Sequence, residues 1–80
     1  MTNVIYYMKE NCSLCDDAHA LLTMLQHDYK FTIEPRDIYT NDAWLEEYQL
    51  LIPYVIINET ELDGEQINID TLEQALKENT

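Results

Sequence analysis

Positive charge is scarce in this chain. Among its 80 residues, four are lysine or arginine and sixteen are aspartate or glutamate, so the formal net charge is −12. A surface of that sign repels nucleic acid and anionic membranes, and we therefore expect neither as a partner. It also disfavours small anionic substrates, although salt screens this repulsion beyond about 8 Å. The alternative explanation of the acidic residues is solubility alone.

Long apolar runs are absent as well. No stretch approaches the roughly 20 residues of a membrane-spanning helix. The first three residues lack the positive charge of a signal peptide, so we expect a cytoplasmic protein. Glycine and proline are limited to Gly64, Pro35 and Pro53, and no linker or low-complexity segment divides the chain. These properties predict one small domain over residues 1–80, which we expect to be a monomer.

The spacing of apolar residues predicts alternating strands and helices. The predicted elements are strands at 4–8, 31–37, 54–58 and from about 61, and helices at 13–27, around 44–48 and at 71–78. The order β-α-β-α-β-β-α begins with a right-handed parallel unit and ends with an antiparallel hairpin before the last helix. The predicted fold class is therefore α/β, with a four-stranded mixed sheet flanked by helices on both faces.

Local signals refine this prediction. Proline cannot donate to a strand ladder, so Pro35 places the second strand at a sheet edge or ends it. The segment Asn58-Glu59-Thr60 predicts the turn before the fourth strand, while Asp63-Gly64 is a competing hairpin signal. Asp70 and Glu73 have the spacing of a capping box at the start of the last helix.

Cysteine is limited to Cys12 and Cys15, a C-x-x-C pair between the first predicted strand and helix. A disulfide closing so short a loop stabilises the fold little, so its reactivity is the better explanation. In a reducing compartment, paired cysteines are usually redox-active or bind metal. The helix N-terminus favours a thiolate at Cys12, while Cys15, one turn on, is suited to resolve a mixed disulfide.

Three charged or ligating neighbours bear on this pair. Lys9 can favour the thiolate or receive a substrate carboxylate, or it is simply a solvated lysine. The carboxylates of Asp16 and the following Asp17 oppose the thiolate but complement the helix N-terminus. His19 is one turn beyond Cys15, so an alternative function is a metal- or cluster-binding module that uses Cys12, Cys15 and His19. A closed structural zinc site needs four ligands, so such a site would be shared between molecules.

Pro53 is the remaining candidate. It precedes a predicted strand, and the Ile52–Pro53 bond is either cis or an ordinary trans bond that begins the strand. A cis bond would turn the backbone of Ile52 outward, so that its N–H and C=O could pair with a substrate peptide. A third possible function is a protein-interaction domain with redox-inert cysteines.

The segments Met8–Cys15 and Leu51–Tyr54 resemble the two halves of a glutaredoxin active site. The segment Cys12–Ala18 is similar to the motif C-x-L-C-[DE]-x-A of small bacterial glutaredoxin-like proteins. The resemblance implies a thioredoxin-like fold in which Cys12 is the nucleophile, Cys15 is the resolving thiol and Pro53 is a cis-proline facing them. It also implies that Lys9 contacts a glutathione carboxylate.

The chain departs from glutaredoxins at two places. Ser13 and Leu14 replace the usual proline and tyrosine, and Asp63-Gly64-Glu65 is all that remains of the glycine pair and acidic residue that hold glutathione. We expect a thiol–disulfide oxidoreductase that reduces protein or low-molecular-weight disulfides in cell redox homeostasis. No bound cofactor is expected, and the electron donor is glutathione or a separate reductase.

Overall fold

The computed structural model describes residues 2–79, so Met1 and Thr80 lie outside the described residues. The strands are β1 (Thr2–Met8), β2 (Phe31–Asp37), β3 (Tyr54–Ile57) and β4 (Thr60–Leu62). The helices are α1 (Ser13–Leu25), α2 (Asp42–Tyr48) and α3 (Ile69–Asn79), with a 3-10 turn at Ile38–Thr40. The predicted α/β class and element order are confirmed, and they are those of a thioredoxin-like fold. None of the helices within residues 2–79 has the length and apolar character needed to cross a membrane.

The sheet has the strand order β2-β1-β3-β4. β1 pairs in parallel with β2 and antiparallel with β3, in a register that places Tyr7 opposite Tyr54. Because β1 ends where β3 begins, the loop after Met8 and the residues before Tyr54 meet at one end of the sheet. β2 is an edge strand, which confirms the edge position indicated by Pro35.

α1 and α3 pack on one face of the sheet. Val4 and Tyr6 of β1 and Val55 and Ile57 of β3 point to this face, because they alternate with residues on the opposite face. The helices contribute the buried side chains Ala18, Leu22, Leu25, Leu72, Ala75 and Leu76. The helical spacing of apolar residues in the sequence predicts all six of these positions. The same spacing also predicts that Leu14 is buried, which is wrong, because Leu14 is exposed.

α2 covers one end of the other face through aromatic contacts. The ring of Tyr7 stacks on Tyr48 at 4.1 Å between centroids and meets the edge of Trp44 at 5.7 Å. The Arg36 guanidinium lies 5.1 Å from the Trp44 ring and donates to the Tyr7 hydroxyl at 2.9 Å. Offset and edge contacts of this kind add to the stability gained from burial alone. Helices therefore lie on both faces, as predicted.

The hairpin turn between β3 and β4 lies at Asn58 and Glu59. Asn58 has a φ of 55°, in the left-handed region that asparagine tolerates better than most residues. Ile57 pairs with Thr60 across the turn. The competing hairpin at Asp63-Gly64 is therefore wrong, and those residues belong to the loop between β4 and α3.

The predicted capping box at Asp70 and Glu73 is also wrong. α3 begins two residues earlier than predicted, because Ile69 packs against the core. Asn68 precedes the helix, and its side-chain oxygen accepts from the Thr71 N–H at 2.9 Å. The Thr71 hydroxyl in turn accepts from the Asn68 N–H at 3.0 Å, so these two residues satisfy each other's free backbone donors.

We expect Asn68→Ala to lower the free energy of unfolding by about 1 kcal/mol, because alanine offers no acceptor to the Thr71 N–H. Urea denaturation followed by circular dichroism measures the change. Asn68→Asp retains the acceptor and serves as the matched control, with stability close to that of the unchanged protein. Equal stability of Asn68→Ala and the control would show that the cap contributes nothing.

Candidate active site

Cys12 lies at the N-terminal boundary of α1. The chain leaves β1 through a loop in which Asn11 has a φ of 56°, and Cys12 then adopts an extended backbone as the residue that caps the helix. Its sulfur accepts from the Cys15 N–H at 3.2 Å. The sulfur therefore sits among the first backbone N–H groups of α1, which have no partners within the helix and favour negative charge.

Cys12 and Cys15 form a disulfide, with their Cα atoms 5.2 Å apart. The two residues differ in access to solvent: Cys15 is 0 % exposed, whereas Cys12 is only partly buried. A second molecule can therefore reach Cys12 but not Cys15. This asymmetry separates a sulfur suited to meet a substrate from one suited to react within the protein.

Tyr6 holds the first turn of α1 from inside the core. Its buried hydroxyl donates to the Cys15 carbonyl. Burial, together with the negative charge of Asp16, raises the pKa of Tyr6 to about 12, so the hydroxyl stays protonated and remains a donor. Sequence reasoning did not single out Tyr6. The available signal was a tyrosine on the buried face of a strand, since a buried tyrosine hydroxyl needs a partner.

His19 does not join the cysteines. Its ring stacks on the Tyr6 ring, with 5.8 Å between the centroids. Within residues 2–79, no group of three or more histidine, cysteine or acidic side chains is placed to hold a metal ion. The cysteines are joined as a disulfide, so the three side chains do not form a ligand set within one described molecule. A metal site shared between molecules stays a prediction.

Pro53 is buried, and the Ile52–Pro53 bond is cis. The N–H of Ile52 donates to the Tyr48 carbonyl at 3.1 Å, in the turn that follows α2. This N–H is therefore already engaged within the protein, contrary to the expectation that it is free to pair with a substrate. The carbonyl of Ile52 remains the candidate for that contact.

The loop after β4 packs tightly against the proline. A Cβ atom added at Gly64 would lie 3.1 Å from the Ile52 oxygen and 3.2 Å from Cδ of Pro53, so glycine permits this close approach. The Gly64 N–H donates to the Leu51 carbonyl at 3.0 Å. One carboxylate oxygen of Asp63 accepts from the N–H groups of Glu65 and Gln66 at 3.0 and 3.1 Å, which shapes the loop.

A groove of about 270 Å³ opens beside this loop. Its lining consists of Leu14, Leu50, Leu51, Ile52, Asp63, Gly64 and Glu65. Leu14 stands between the two cysteines in the chain, so the groove begins next to the disulfide. The sequence alone gives no sign that Asp63-Gly64-Glu65 and Leu50 line a common surface, and only the folded arrangement brings them together.

Lys9 lies in the loop between β1 and Cys12 and is partly buried. The salt bridges found within residues 2–79 join Arg36 to Glu34 and Lys77 to Glu73, so Lys9 takes part in neither. Its ammonium group is thus uncommitted in the described part of the chain. A contact between Lys9 and a substrate stays a prediction.

A comparison with known protein families identifies the family to which this chain belongs. A family model described as Glutaredoxin-like domain (DUF836) matches residues 3–77, which include both cysteines, Pro53 and the whole groove. The chain belongs to this glutaredoxin-like family. The resemblance seen in the sequence is confirmed, and membership suggests a redox function of the thioredoxin superfamily.

Solved structures show the same architecture. The solution NMR structure of protein Ne2328 from Nitrosomonas europaea is 27 % identical, with a TM-score of 0.76, covering 94 % of this chain and 91 % of that one. A structure described as that of a malarial protein has a TM-score of 0.72 at 19 % identity, covering 99 % and 97 % of the two chains. The second likeness shows the fold alone. Comparison with curated proteins gave no match.

We expect Tyr6→Phe to lower the free energy of unfolding at neutral pH by about 1 kcal/mol, through loss of the hydrogen bond to Cys15. The same variant should flatten the dependence of stability on alkaline pH. Tyr6 has a raised pKa of about 12 when folded, against 10.0 ordinarily. Its contribution is therefore complete below pH 10 and is lost as the pH rises through about 12.

Urea denaturation at pH 7 and at several pH values from 10 to 12 measures both effects. Burial and a hydrogen bond with Tyr7 raise the pKa of Tyr48 to about 12, and a hydrogen bond with Glu61 together with burial raises that of Tyr54 to about 12. These two tyrosines also titrate in this range, so the slope of the variant is compared with that of the unchanged protein. Tyr29→Phe is the control at neutral pH, since its hydroxyl has no hydrogen bond recorded among residues 2–79. An identical alkaline slope in Tyr6→Phe and the unchanged protein would contradict the assignment.

Proposed function

We propose that this glutaredoxin-like domain is a thiol–disulfide oxidoreductase that reduces protein or small-molecule disulfides through Cys12 and Cys15. The observation that carries the proposal is the asymmetry of the pair. Cys12 is accessible at a helix N-terminus, and Cys15 is sealed in the core within bonding reach of it. A structural staple needs no such difference between its two sulfurs.

The first step starts from the reduced dithiol. The free N–H groups of the first turn of α1 favour the Cys12 thiolate, which attacks one sulfur of a substrate disulfide. A bond forms between Cys12 and that sulfur, the substrate disulfide breaks, and the departing thiolate takes a proton from solvent. The Cys15 N–H, which donates to the Cys12 sulfur at 3.2 Å, orients the attacking atom.

In the second step, Cys15 loses its proton and attacks the Cys12 sulfur of the mixed disulfide. The intramolecular disulfide forms, and the substrate leaves as its second thiol. The two electrons gained by the substrate come from the dithiol, so no bound cofactor is required. Tyr6 supports this step, because its hydroxyl fixes the carbonyl of Cys15 and hence the turn that carries the resolving sulfur.

Substrate positioning in this proposal involves three groups around the cysteines. The Ile52 carbonyl and the ring of Pro53 would contact the backbone of the substrate, and Lys9 would receive a substrate carboxylate. The reduced dithiol is regenerated by glutathione or by a separate reductase in the cytoplasm. The chain would thereby contribute to cell redox homeostasis.

We expect Cys12→Ser to abolish reduction of insulin and of small mixed disulfides, because the attacking sulfur is gone. Cys15→Ser should instead accumulate a covalent adduct with substrate, since the second step cannot occur. Turnover assays recycled in turn by glutathione and by a thioredoxin reductase measure the first effect. Non-reducing mass spectrometry measures the second.

Cys15 is buried, so Cys15→Ala is included because it leaves no unpaired hydroxyl in the core. Ser13→Ala is the matched control, since it changes an exposed residue of the same segment and keeps both thiols. Circular dichroism establishes that each variant is folded. Retained turnover in folded Cys12→Ser would overturn the proposed function.

A further inference from the structure

The groove beside the disulfide is lined by a cluster of exposed apolar side chains. Five large apolar side chains are exposed within residues 2–79, and three of them, Leu14, Leu50 and Leu51, line this groove. Their exposed fractions are 63 %, 92 % and 39 %. Exposed apolar side chains that cluster next to a reactive group are typical of a surface that binds a partner.

The charged groups of the groove are all negative. Asp63 and Glu65 line it, and no lysine or arginine does. One oxygen of Asp63 is engaged by backbone N–H groups, while Glu65 is exposed. Arg36 is paired with Glu34 and Lys77 with Glu73, while Lys9, in the loop before Cys12, and Lys30 are not among the residues that line the groove. The groove therefore offers apolar contact and uncompensated negative charge together.

We propose that this groove receives a cationic polypeptide segment that carries an apolar side chain next to its disulfide-bonded cysteine. The inference rests on the thiol–disulfide exchange proposed above and names the class of substrate for that reaction. The apolar side chain packs among Leu14, Leu50 and Leu51, which brings the adjacent sulfur to Cys12. A lysine or arginine of the segment faces Asp63 and Glu65.

The volume of the groove favours a side chain over a whole small molecule. At about 270 Å³ it lies below the range of roughly 300–1,000 Å³ found for pockets that enclose small ligands. It is also open on the side of Leu50, whose side chain is almost fully exposed. A chain that extends beyond the groove can use such a surface, because its remaining residues need not be enclosed.

Charge argues in the same direction. Glutathione carries two carboxylates and one ammonium group at neutral pH, so both its net charge and that of this chain are negative. Carboxylates at the groove repel it within the Debye length of about 8 Å, where screening is incomplete. The same carboxylates attract a cationic segment and raise its rate of encounter with Cys12.

The test measures formation of the mixed disulfide in the full-length Cys15→Ser protein. Three short peptides contain a leucine next to a cysteine and carry flanking lysines, glutamines or glutamates. Each is supplied as its symmetrical disulfide, so attack by Cys12 forms one protein–peptide bond, breaks the peptide–peptide bond and releases one peptide thiol. Acid quenching and mass spectrometry give the rate. The rate for each peptide is divided by the rate at which mercaptoethanol attacks the same peptide disulfide, which removes differences in the intrinsic reactivity of the peptides.

We expect the lysine peptide to react about tenfold faster than the glutamate peptide at low salt, and high salt should shrink the ratio. Asp63→Asn combined with Glu65→Gln should reduce this ratio about threefold. Asparagine keeps the acceptor for the Glu65 and Gln66 N–H groups, so the loop retains its shape. Oxidised glutathione should react slowly with the unchanged groove and faster with this double variant.

Asp28→Asn combined with Glu59→Gln is the matched control. It removes the same net charge at exposed positions after α1 and in the β3–β4 turn, at the end of the sheet away from Cys12. An equal loss of the ratio in both double variants would overturn the proposal, because net charge alone would then explain the preference. A ratio unaffected by the Asp63 and Glu65 changes would overturn it too.

The apolar contact is tested separately with Leu50→Ala. We expect this variant to slow the leucine-bearing lysine peptide about threefold, relative to a peptide with serine in place of leucine. Met24→Ala removes another exposed apolar side chain outside the groove lining, and it should change neither rate. If the ratio of the leucine-peptide rate to the serine-peptide rate is the same in Leu50→Ala as in the unchanged protein, the apolar part of the proposal is refuted.

The two proposals fail in different ways. If a small disulfide such as oxidised mercaptoethanol forms the mixed disulfide but the lysine peptide shows no advantage, the substrate class is wrong and the oxidoreductase stands. If neither the small disulfide nor any peptide reacts with Cys12, the proposed oxidoreductase function is wrong, and the proposed substrate class is wrong as well.

Discussion

The antiparallel pairing of β1 with β3 is the constraint on which the site depends. The register that sets Tyr7 opposite Tyr54 brings the loop before Cys12 to the end of the sheet where Pro53 enters it. The two segments are far apart in the sequence, and nothing in either one indicates the other. The pairing of β1 with β3 alone fixes their relative position. α1 in turn positions the cysteines, because its residues Ala18 and Leu22 are buried against the sheet. The Tyr6 hydroxyl also donates a hydrogen bond to the Cys15 carbonyl.

The loop between β4 and α3 completes the site without contributing a reactive group. Gly64 allows the loop to lie against Ile52 and Pro53, and the side chain of Asp63 binds the backbone that follows. The consequence is a wall of fixed shape whose outer surface carries carboxylates. Asp63 and Glu65 thus lie in the same groove as exposed leucines, and the proposed preference for a cationic segment rests on this position rather than on the total number of acidic residues.

Sequence periodicity located most of the fold, because strands and helices must place apolar side chains on one side. β1 is the exception, because Tyr6 and Tyr7 are buried on opposite faces and the strand was predicted from its continuous apolar run. Pro35 correctly indicated an edge strand. Local polar signals were less informative: Asp70 and Glu73 have the spacing of a cap, but Ile69 starts the helix earlier because it packs against the core. The groove could not be predicted, since Leu14, Leu50 and Glu65 meet only through the strand register. The contact between His19 and Tyr6 could not be predicted either, because it depends on how α1 packs on β1.

Cys12 combines two duties, since the sulfur that would react is also the acceptor for the Cys15 amide at 3.2 Å. A thiolate, a disulfide and an alkylated thioether differ in how strongly they attract that hydrogen. The Cys15 amide proton therefore senses the covalent condition of its neighbour directly, without any attached dye. Its resonance frequency, and the ease with which deuterium replaces it, follow the chemistry at the surface from a position sealed inside the fold.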